Sequence, residues 1–183
     1  SLGDWLGLLA TTAMAQQLSG GDYATANFAI AGVFIARLLP AVFLGPLAGV
    51  IADKLDRRKL MVSCDIVRAG LYISIPIFHN YFWLYTATIL VECVTLFWSP
   101  AKEASVPNLV PREKLESANQ VSLLAAYGTA PIAALLFTFL SLFTSAFVAL
   151  IPNFNATAVD IALYVNALSF AFAAFTIWNL REI

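Results

Sequence analysis

Charge is what this sequence has least of. Only 11% of its 183 residues are Asp, Glu, Lys or Arg, against roughly 25% in soluble domains, which leaves too little charge to cover a globule in water. Ten basic and eleven acidic residues give a net charge of −1. The basic residues do not gather on one helix face, which excludes nucleic-acid binding. Cys64 and Cys93 stand alone inside apolar runs, which excludes a disulfide scaffold.

Catalytic and metal-binding patterns are missing as well. The sequence has a single histidine, and it contains no metal-ligand cluster, no nucleophile paired with a base and no phosphate-binding loop. We therefore predict that the protein is not an enzyme and that it uses no metal and no other cofactor.

Hydrophobic residues dominate what is present. They make up 61% of the chain, and the mean hydropathy is +0.82. A bilayer core of about 30 Å needs about 20 apolar residues as a helix, and the alternating pattern of membrane β-strands is absent. We predict an all-α polytopic membrane protein with six transmembrane helices. Their expected bounds are about 1–19, 27–52, 59–78, 82–100, 118–151 and 159–180.

Two of the apolar runs have unusual lengths. The first, Trp5–Leu18, is too short to span a bilayer, and the simplest interpretation is that a turn or two of helix lies upstream. The fifth, Val121–Ile151, is too long for one ordinary span and too short for two. We predict one long tilted helix with a kink near Pro131. Trp98 and Trp178 are interpreted as interfacial aromatic residues.

Basic residues are distributed unequally between the two sides of the predicted bundle. Eight of the ten lie between helices 2 and 3, between helices 4 and 5, or after helix 6. The positive-inside rule predicts a multi-pass protein of the cell (inner or plasma) membrane with both termini in the cytoplasm. These eight residues are Lys54, Arg57, Arg58, Lys59, Lys102, Arg112, Lys114 and Arg181.

The loop between helices 2 and 3 carries the most specific pattern. Before it, Gly45, Ala48, Gly49 and Ala52 form a stripe of small residues against which a helix can pack closely, and we expect Asp53 to pair with the basic cluster one turn on. A basic cluster alone is typical of any cytoplasmic loop. The whole string GVIADKLDRRK, however, resembles the major facilitator superfamily signature G-x-x-x-D-R/K-x-G/D-R-R/K-R/K. The resemblance implies a conformational latch formed by Gly49, Asp53, Lys54, Arg57 and Arg58.

Other segments are similar to one subgroup of that superfamily, which contains macrolide exporters, siderophore exporters and lysophospholipid transporters. They are Gly3-Asp4, the stretches 37–40 and 65–68, and the loop 100–119. The resemblance implies twelve helices in two bundles with the substrate path between them, so that this chain is the N-terminal bundle. The implied partners are a C-terminal bundle (in the same gene or a separate chain), membrane lipid, a small amphipathic substrate and, as a further candidate, protons. No nucleic acid is expected.

Helix 5 departs from the pattern of the superfamily's proton antiporters. These often carry G-P-x-x-G-G, whereas this sequence has Ala130-Pro131-Ile132-Ala133-Ala134. The proline and the small residues remain but the glycines do not, so proton antiport is less supported than the fold. The candidate packing and kink residues of this helix are Gly128, Ala130, Pro131 and Ala134.

Ionisable residues inside the predicted spans are site candidates, because charge is costly in a bilayer. Counted at 1.5 Å per residue, Asp4, Asp65, Arg68 and Glu92 fall at similar heights in the inner half. They are close enough in height to pair if their helices are neighbours. Arg37 is placed in the outer half.

The roles of these five residues remain open at this point. Asp65 and Arg68, three residues apart, favour a buried structural network, which we expect to connect to Asp53 and Arg57. Asp4 and Glu92 fit a structural role and a proton- or substrate-binding role equally well. For Arg37 we expect no partner other than Asp22 or the second bundle. Substrate binding, closure of an outer gate and snorkelling all explain its position.

Three functions are compatible with these patterns. The first is half of a secondary transporter that exports amphipathic organic compounds by alternating access. The second is a transporter that flips lysophospholipids, which lateral apolar openings would favour. The third is a non-transporting membrane anchor or subunit that reuses half of the fold.

Overall fold

A computed structural model describes residues 1–150 and 156–180 of the chain. All regular structure in these ranges is helical, which confirms the predicted fold class. The helices are α1 (Leu2–Leu18), α2 (Tyr23–Ala52), α3 (Arg57–Phe78), α4 (Tyr81–Leu109), α5 (Leu115–Tyr127), α6 (Ala130–Leu150) and α7 (Ala158–Asn179), with a 3-10 turn at Arg112–Lys114. Residue 151, the last of the predicted fifth span, and Arg181 lie outside the described residues.

Five segments are long and apolar enough to cross a membrane. Four of them are α2, α3, most of α4, and α7, while the fifth, Leu115–Ala146, combines α5 with most of α6. Together with the shorter α1, of 17 residues, they correspond to the six predicted runs. The chain is a multi-pass membrane protein.

Side-chain caps fix where four of the helices begin. In each case an oxygen of the N-cap side chain accepts a hydrogen bond from the backbone N–H three residues on, which satisfies one of the free donors of the first turn. The N-cap residues are Asp22, Asp56, Asn80 and Thr157. Gly20 and Gly21 adopt positive φ angles in the turn after α1, so the chain reverses direction there within a few residues.

Close contacts around α1 hold the bundle together. Helix α3 packs on α7 and α4, α2 packs on α4, and α1 contacts α2, α4, α6 and α7. Gly7 allows the closest approach, because a Cβ atom at this position would lie 2.3 Å from the Tyr72 hydroxyl oxygen and 2.9 Å from Nδ2 of Asn166. Small residues of this kind bring membrane helices near enough for dispersion forces to stabilise them.

The fifth span is broken between Tyr127 and Ala130. Pro131 has no backbone N–H to donate to the carbonyl of Tyr127, so one hydrogen bond of the helical ladder is missing at this break. The indole Nε1 of Trp5 donates a hydrogen bond of 2.7 Å to the carbonyl of Ala126, in the last turn of α5, where carbonyls lack helical partners. This hydrogen bond therefore connects the end of α5 to α1 at the break.

Two expectations from the sequence differ from the structure here. Helix α4 does not end at Pro100 but runs to Leu109, because one missing backbone hydrogen bond bends a membrane helix without ending it. Of the small stripe on α2, Ala48 and Ala52 are buried, whereas a Cβ on Gly45 or Gly49 would meet nothing within 4 Å. Thus only half of that stripe packs within this bundle.

The small residues of the fifth span are placed differently from the predicted packing face. Gly128, Pro131 and Ala134 are exposed and Ala130 is half-buried, whereas the neighbouring Ala133 is fully buried. The predicted face points away from the other described helices, so it does not contribute to this core.

Candidate transport site

The loop of the superfamily signature lies at the end of the bundle that contains residues 53–56 and 110–114, which we call the basic end. Nη1 of Arg57 donates a hydrogen bond of 2.7 Å to the carbonyl of Ala104 in α4. The guanidinium carbon of Arg58 lies 5.0 Å from the ring centroid of Trp178 in α7. These two arginines attach the start of α3 to both neighbouring helices.

Asp53 does not make the ion pair that the sequence predicted. Among the described residues its carboxylate has no ion pair and no hydrogen bond, and the side chain is exposed, as is that of Lys54. The ion pair of this turn joins Lys59 to Asp56 across 3.9 Å, with both side chains exposed, and such pairs contribute less than about 1 kcal/mol. The prediction fails because Arg57, one turn after Asp53, is directed to α4 instead.

A buried cluster forms around Arg68. Its Nη2 donates to Oδ1 of Asp65, its Nη1 lies 3.7 Å from Oδ1 of Asp4, and the side chains of Arg68 and Asp65 are each only 1% exposed. The guanidinium carbon lies 4.8 Å from the ring centroid of Trp98 and 4.5 Å from that of Phe170. Arg68 thus joins α1, α3, α4 and α7. We expected this cluster to connect to Asp53 and Arg57, but it does not.

Asp4 is the most accessible member of this cluster. Its side chain is 34% exposed, and Oδ2 accepts hydrogen bonds of 2.7 Å from the hydroxyl and the amino group of Ser1. It therefore connects the buried Arg68 to the surface of the bundle.

Arg37 has a partner that the sequence did not indicate. Its Nη2 lies 2.7 Å from Oε1 of Glu92 in α4, and the two side chains are 18% and 17% exposed. The helix α2 has 30 residues and is about 45 Å long, and Arg37 lies at its middle, where it faces α4. The expectation that only Asp22 or a second bundle could pair with Arg37 is therefore wrong.

A cavity of about 800 Å³ opens at the basic end between α1, α4 and α5. Its lining includes Asp4, Trp98, Lys102, Glu103, Glu116 and Tyr127. The Lys102 ammonium nitrogen lies 5.9 Å from the ring centroid of Trp98. A smaller cavity of about 190 Å³ lies on the other side, bordered by Trp98, Asp65 and Arg68. Trp98 is therefore a wall of both cavities.

Sequence reasoning missed most of this cavity. Trp98 was interpreted as an interfacial residue, and Lys102 was counted only as a loop charge because α4 was expected to end at Pro100. The signal was the spacing of Trp98 and Lys102, which are four residues apart and share a helix face once the helix continues. In residues 1–150 and 156–180 no group of His, Cys, Asp or Glu could hold a metal ion.

Comparisons with known proteins agree with this architecture. The family described as "Transmembrane secretion effector" matches residues 1–178. The "Uncharacterized MFS-type transporter YfiS" of Bacillus subtilis is 31% identical over 67% of this chain and 28% of its own length. "Macrolide efflux protein A" of Enterococcus faecalis is 34% identical over 42% of this chain and 25% of its own length.

The match to these relatives is partial in length. The aligned part of the chain spans about a quarter of each of the two relatives, and no solved structure matches the chain significantly. Nevertheless, the family match extends over nearly all of the 183 residues. The chain belongs to the transmembrane secretion effector family of major facilitator superfamily transporters.

Proposed function

We propose that this chain is one half of a secondary active transporter that exports small amphipathic organic compounds by alternating access. The basic end lies in the cytoplasm in this proposal, and a second bundle completes the substrate path. The observation that carries it is the Arg37–Glu92 ion pair, which lies at mid-helix and is still partly exposed.

A charged pair at this depth is costly if it faces lipid. It is tolerated where the surface that bears it faces a water-filled path or another protein surface. Glu92 lies six residues before Trp98 on α4, and Trp98 is a wall of the 800 Å³ cavity, so the ion pair lies about 9 Å along the helix axis from the cavity. Both features fit a polar path between two bundles, with the cavity as its inner end.

The signature loop supports alternating access. Asp53 is exposed and makes no ion pair with any described residue, whereas Arg57 is held by α4. A carboxylate left unpaired on a fixed loop is suited to bind a basic or amide group of a companion bundle when the cytoplasmic side is closed. In this proposal the latch is Asp53, and Arg57 and Arg58 hold its loop in place.

The test is efflux of a fluorescent amphipathic dye from cells that produce the protein containing this chain. We expect Asp53→Asn to reduce the efflux rate at least about tenfold while membrane insertion is unchanged, because the charge-assisted contact of the closed state is lost. Asp56→Asn is the matched control: it lies in the same loop, and Asn caps a helix as well as Asp does. Unchanged efflux by the Asp53 variant would remove the latch.

Measurements on the same cells distinguish the proposed function from the other two candidate functions. Movement of a labelled lysophospholipid between leaflets without dye efflux would replace the proposed cargo by a lipid. A protein that inserts and assembles with a partner but moves neither compound would be a membrane anchor. Loss of dye efflux on adding a protonophore would identify protons as the coupling ion.

A further inference from the structure

The walls of the 800 Å³ cavity indicate the charge of the compound that it binds, an inference that rests on the proposed function. The cavity lies between α1, α4 and α5 and has two aromatic walls, Trp98 and Tyr127. Ligand sites are mostly apolar or aromatic, and a few placed charges set their specificity. The charges in this cavity therefore decide which amphipathic compounds fit.

One wall of the cavity already holds a positive charge against an aromatic ring. The ammonium of Lys102 lies 5.9 Å from the ring centroid of Trp98 and makes no ion pair with any described residue. A cation over an indole ring is attracted by the negative face of the ring. Lys102 thus occupies, on a flexible four-carbon stem, the place that the ammonium group of a bound compound would take.

The remaining charged side chains of the described lining are negative. Glu103 and Glu116 line the cavity, are exposed, and have no ion-pair partner among the described residues. Asp4, a third carboxylate, is already paired with the amino group of Ser1, which is also in the lining, and with Arg68 outside it. The two unpaired carboxylates outnumber the one unpaired cation of the described lining, the ammonium of Lys102, so the field inside favours a positive guest and disfavours a negative one.

We propose that this cavity selects cationic amphipathic compounds. The positive group of the compound displaces Lys102 from the Trp98 ring, its apolar part lies against the walls formed by α1 and α5, and Glu103 and Glu116 supply the negative field. Anionic compounds of the same shape are rejected. Lys102 acts as a competitor that the compound must replace, so it sets affinity as well as charge preference.

The experiment uses two probes of equal shape and opposite charge, tetraphenylphosphonium and tetraphenylborate. Their binding is measured by equilibrium dialysis to the protein containing this chain in nanodiscs of uncharged (zwitterionic) lipid, and binding to empty nanodiscs is subtracted. We expect tetraphenylphosphonium to bind more tightly by at least about tenfold, since the two free carboxylates act on it at short range. Equal binding, or tighter binding of tetraphenylborate, overturns the proposal.

Variants separate the charge effect from a change of fold. Lys102→Met should raise tetraphenylphosphonium affinity about two- to fivefold, because the competing cation is lost, and should not raise tetraphenylborate affinity. The double variant Glu103→Gln/Glu116→Gln should lower tetraphenylphosphonium affinity about five- to tenfold. Glu113→Gln and Lys114→Met are the controls, because both residues are exposed and neither lines the cavity.

The direction of the effects decides the outcome. Variants that change the affinity for both probes by the same factor contradict charge selection and indicate a structural effect. If cells export anionic dyes only, charge selection in favour of cations is also contradicted, while the transport function stands. Charge-selective binding of tetraphenylphosphonium without any efflux leaves the binding site in place and removes the transport function instead.

Discussion

The Arg37–Glu92 ion pair allows a quantitative test of how this bundle is held together. Its atoms are 2.7 Å apart and its side chains are more than four-fifths buried. Removing one partner of a fully buried pair costs about 3–5 kcal/mol, because the other charge is left unpaired. The partial exposure of this pair lowers the expected cost to about 2–3 kcal/mol for Glu92→Gln.

The two single substitutions should differ. Glu92→Gln leaves a guanidinium that cannot lose its proton, whereas Arg37→Gln leaves a carboxyl group that can take one up. We therefore expect Arg37→Gln to be less destabilising, by about 1 kcal/mol. The double variant Arg37→Gln/Glu92→Gln should be close to the wild type in free energy of unfolding, since no charge is left unpaired.

The assay is reversible unfolding in mixed micelles, analysed as a double-mutant cycle. With single costs of about 2–3 and about 1–2 kcal/mol and a double variant close to the wild type, the reasoning predicts a coupling energy of about 3–5 kcal/mol for Arg37 and Glu92. The exposed Lys59–Asp56 pair is the control, with a coupling of less than about 0.5 kcal/mol. Additive single effects at Arg37 and Glu92 would refute the argument. A stable double variant without efflux would show that the pair also takes part in transport.

Two further substitutions test the packing of the same bundle. Gly7→Ala should destabilise the bundle by about 2 kcal/mol or more, because the new Cβ would lie 2.3 Å from the Tyr72 hydroxyl oxygen. Gly49→Ala should be neutral or stabilising, because a Cβ at this position meets nothing within 4 Å. The free energy of unfolding in micelles measures both effects. Arg68→Leu should cost about 3–5 kcal/mol, because Asp65 is left buried without its partner, and Asp65→Asn/Arg68→Leu should recover most of that loss in the same assay.

The fold was largely predictable because each helix carries its own signal. Every apolar run predicts a membrane segment without reference to the others, and Pro131, which lacks an N–H group, marks the place where the fifth span is interrupted. Asp65 and Arg68 were predictable as a pair for the same reason, since they are three residues apart on one helix.

The charges that join different helices were not predictable in this way. The Arg37–Glu92 pair depends on which faces of α2 and α4 pack together, and hydropathy does not report that. The predicted Asp53 ion pair is absent because the Arg57 guanidinium donates to a carbonyl of another helix. The cavity is formed by α1, α4 and α5, which are not all neighbours in sequence, and α4 lines it on both sides of Pro100.

The position of Trp98 affects the strength of the ion pairs around Arg68. Its indole borders both the large cavity and the small one beside the guanidinium, and it covers one face of Arg68, which joins α1, α3, α4 and α7. An ion pair weakens as the surrounding dielectric constant rises. A rotation of the ring away from the guanidinium would remove the cation–π contact and let water reach that face of Arg68, so the contact between these helices depends in part on the position of one aromatic side chain.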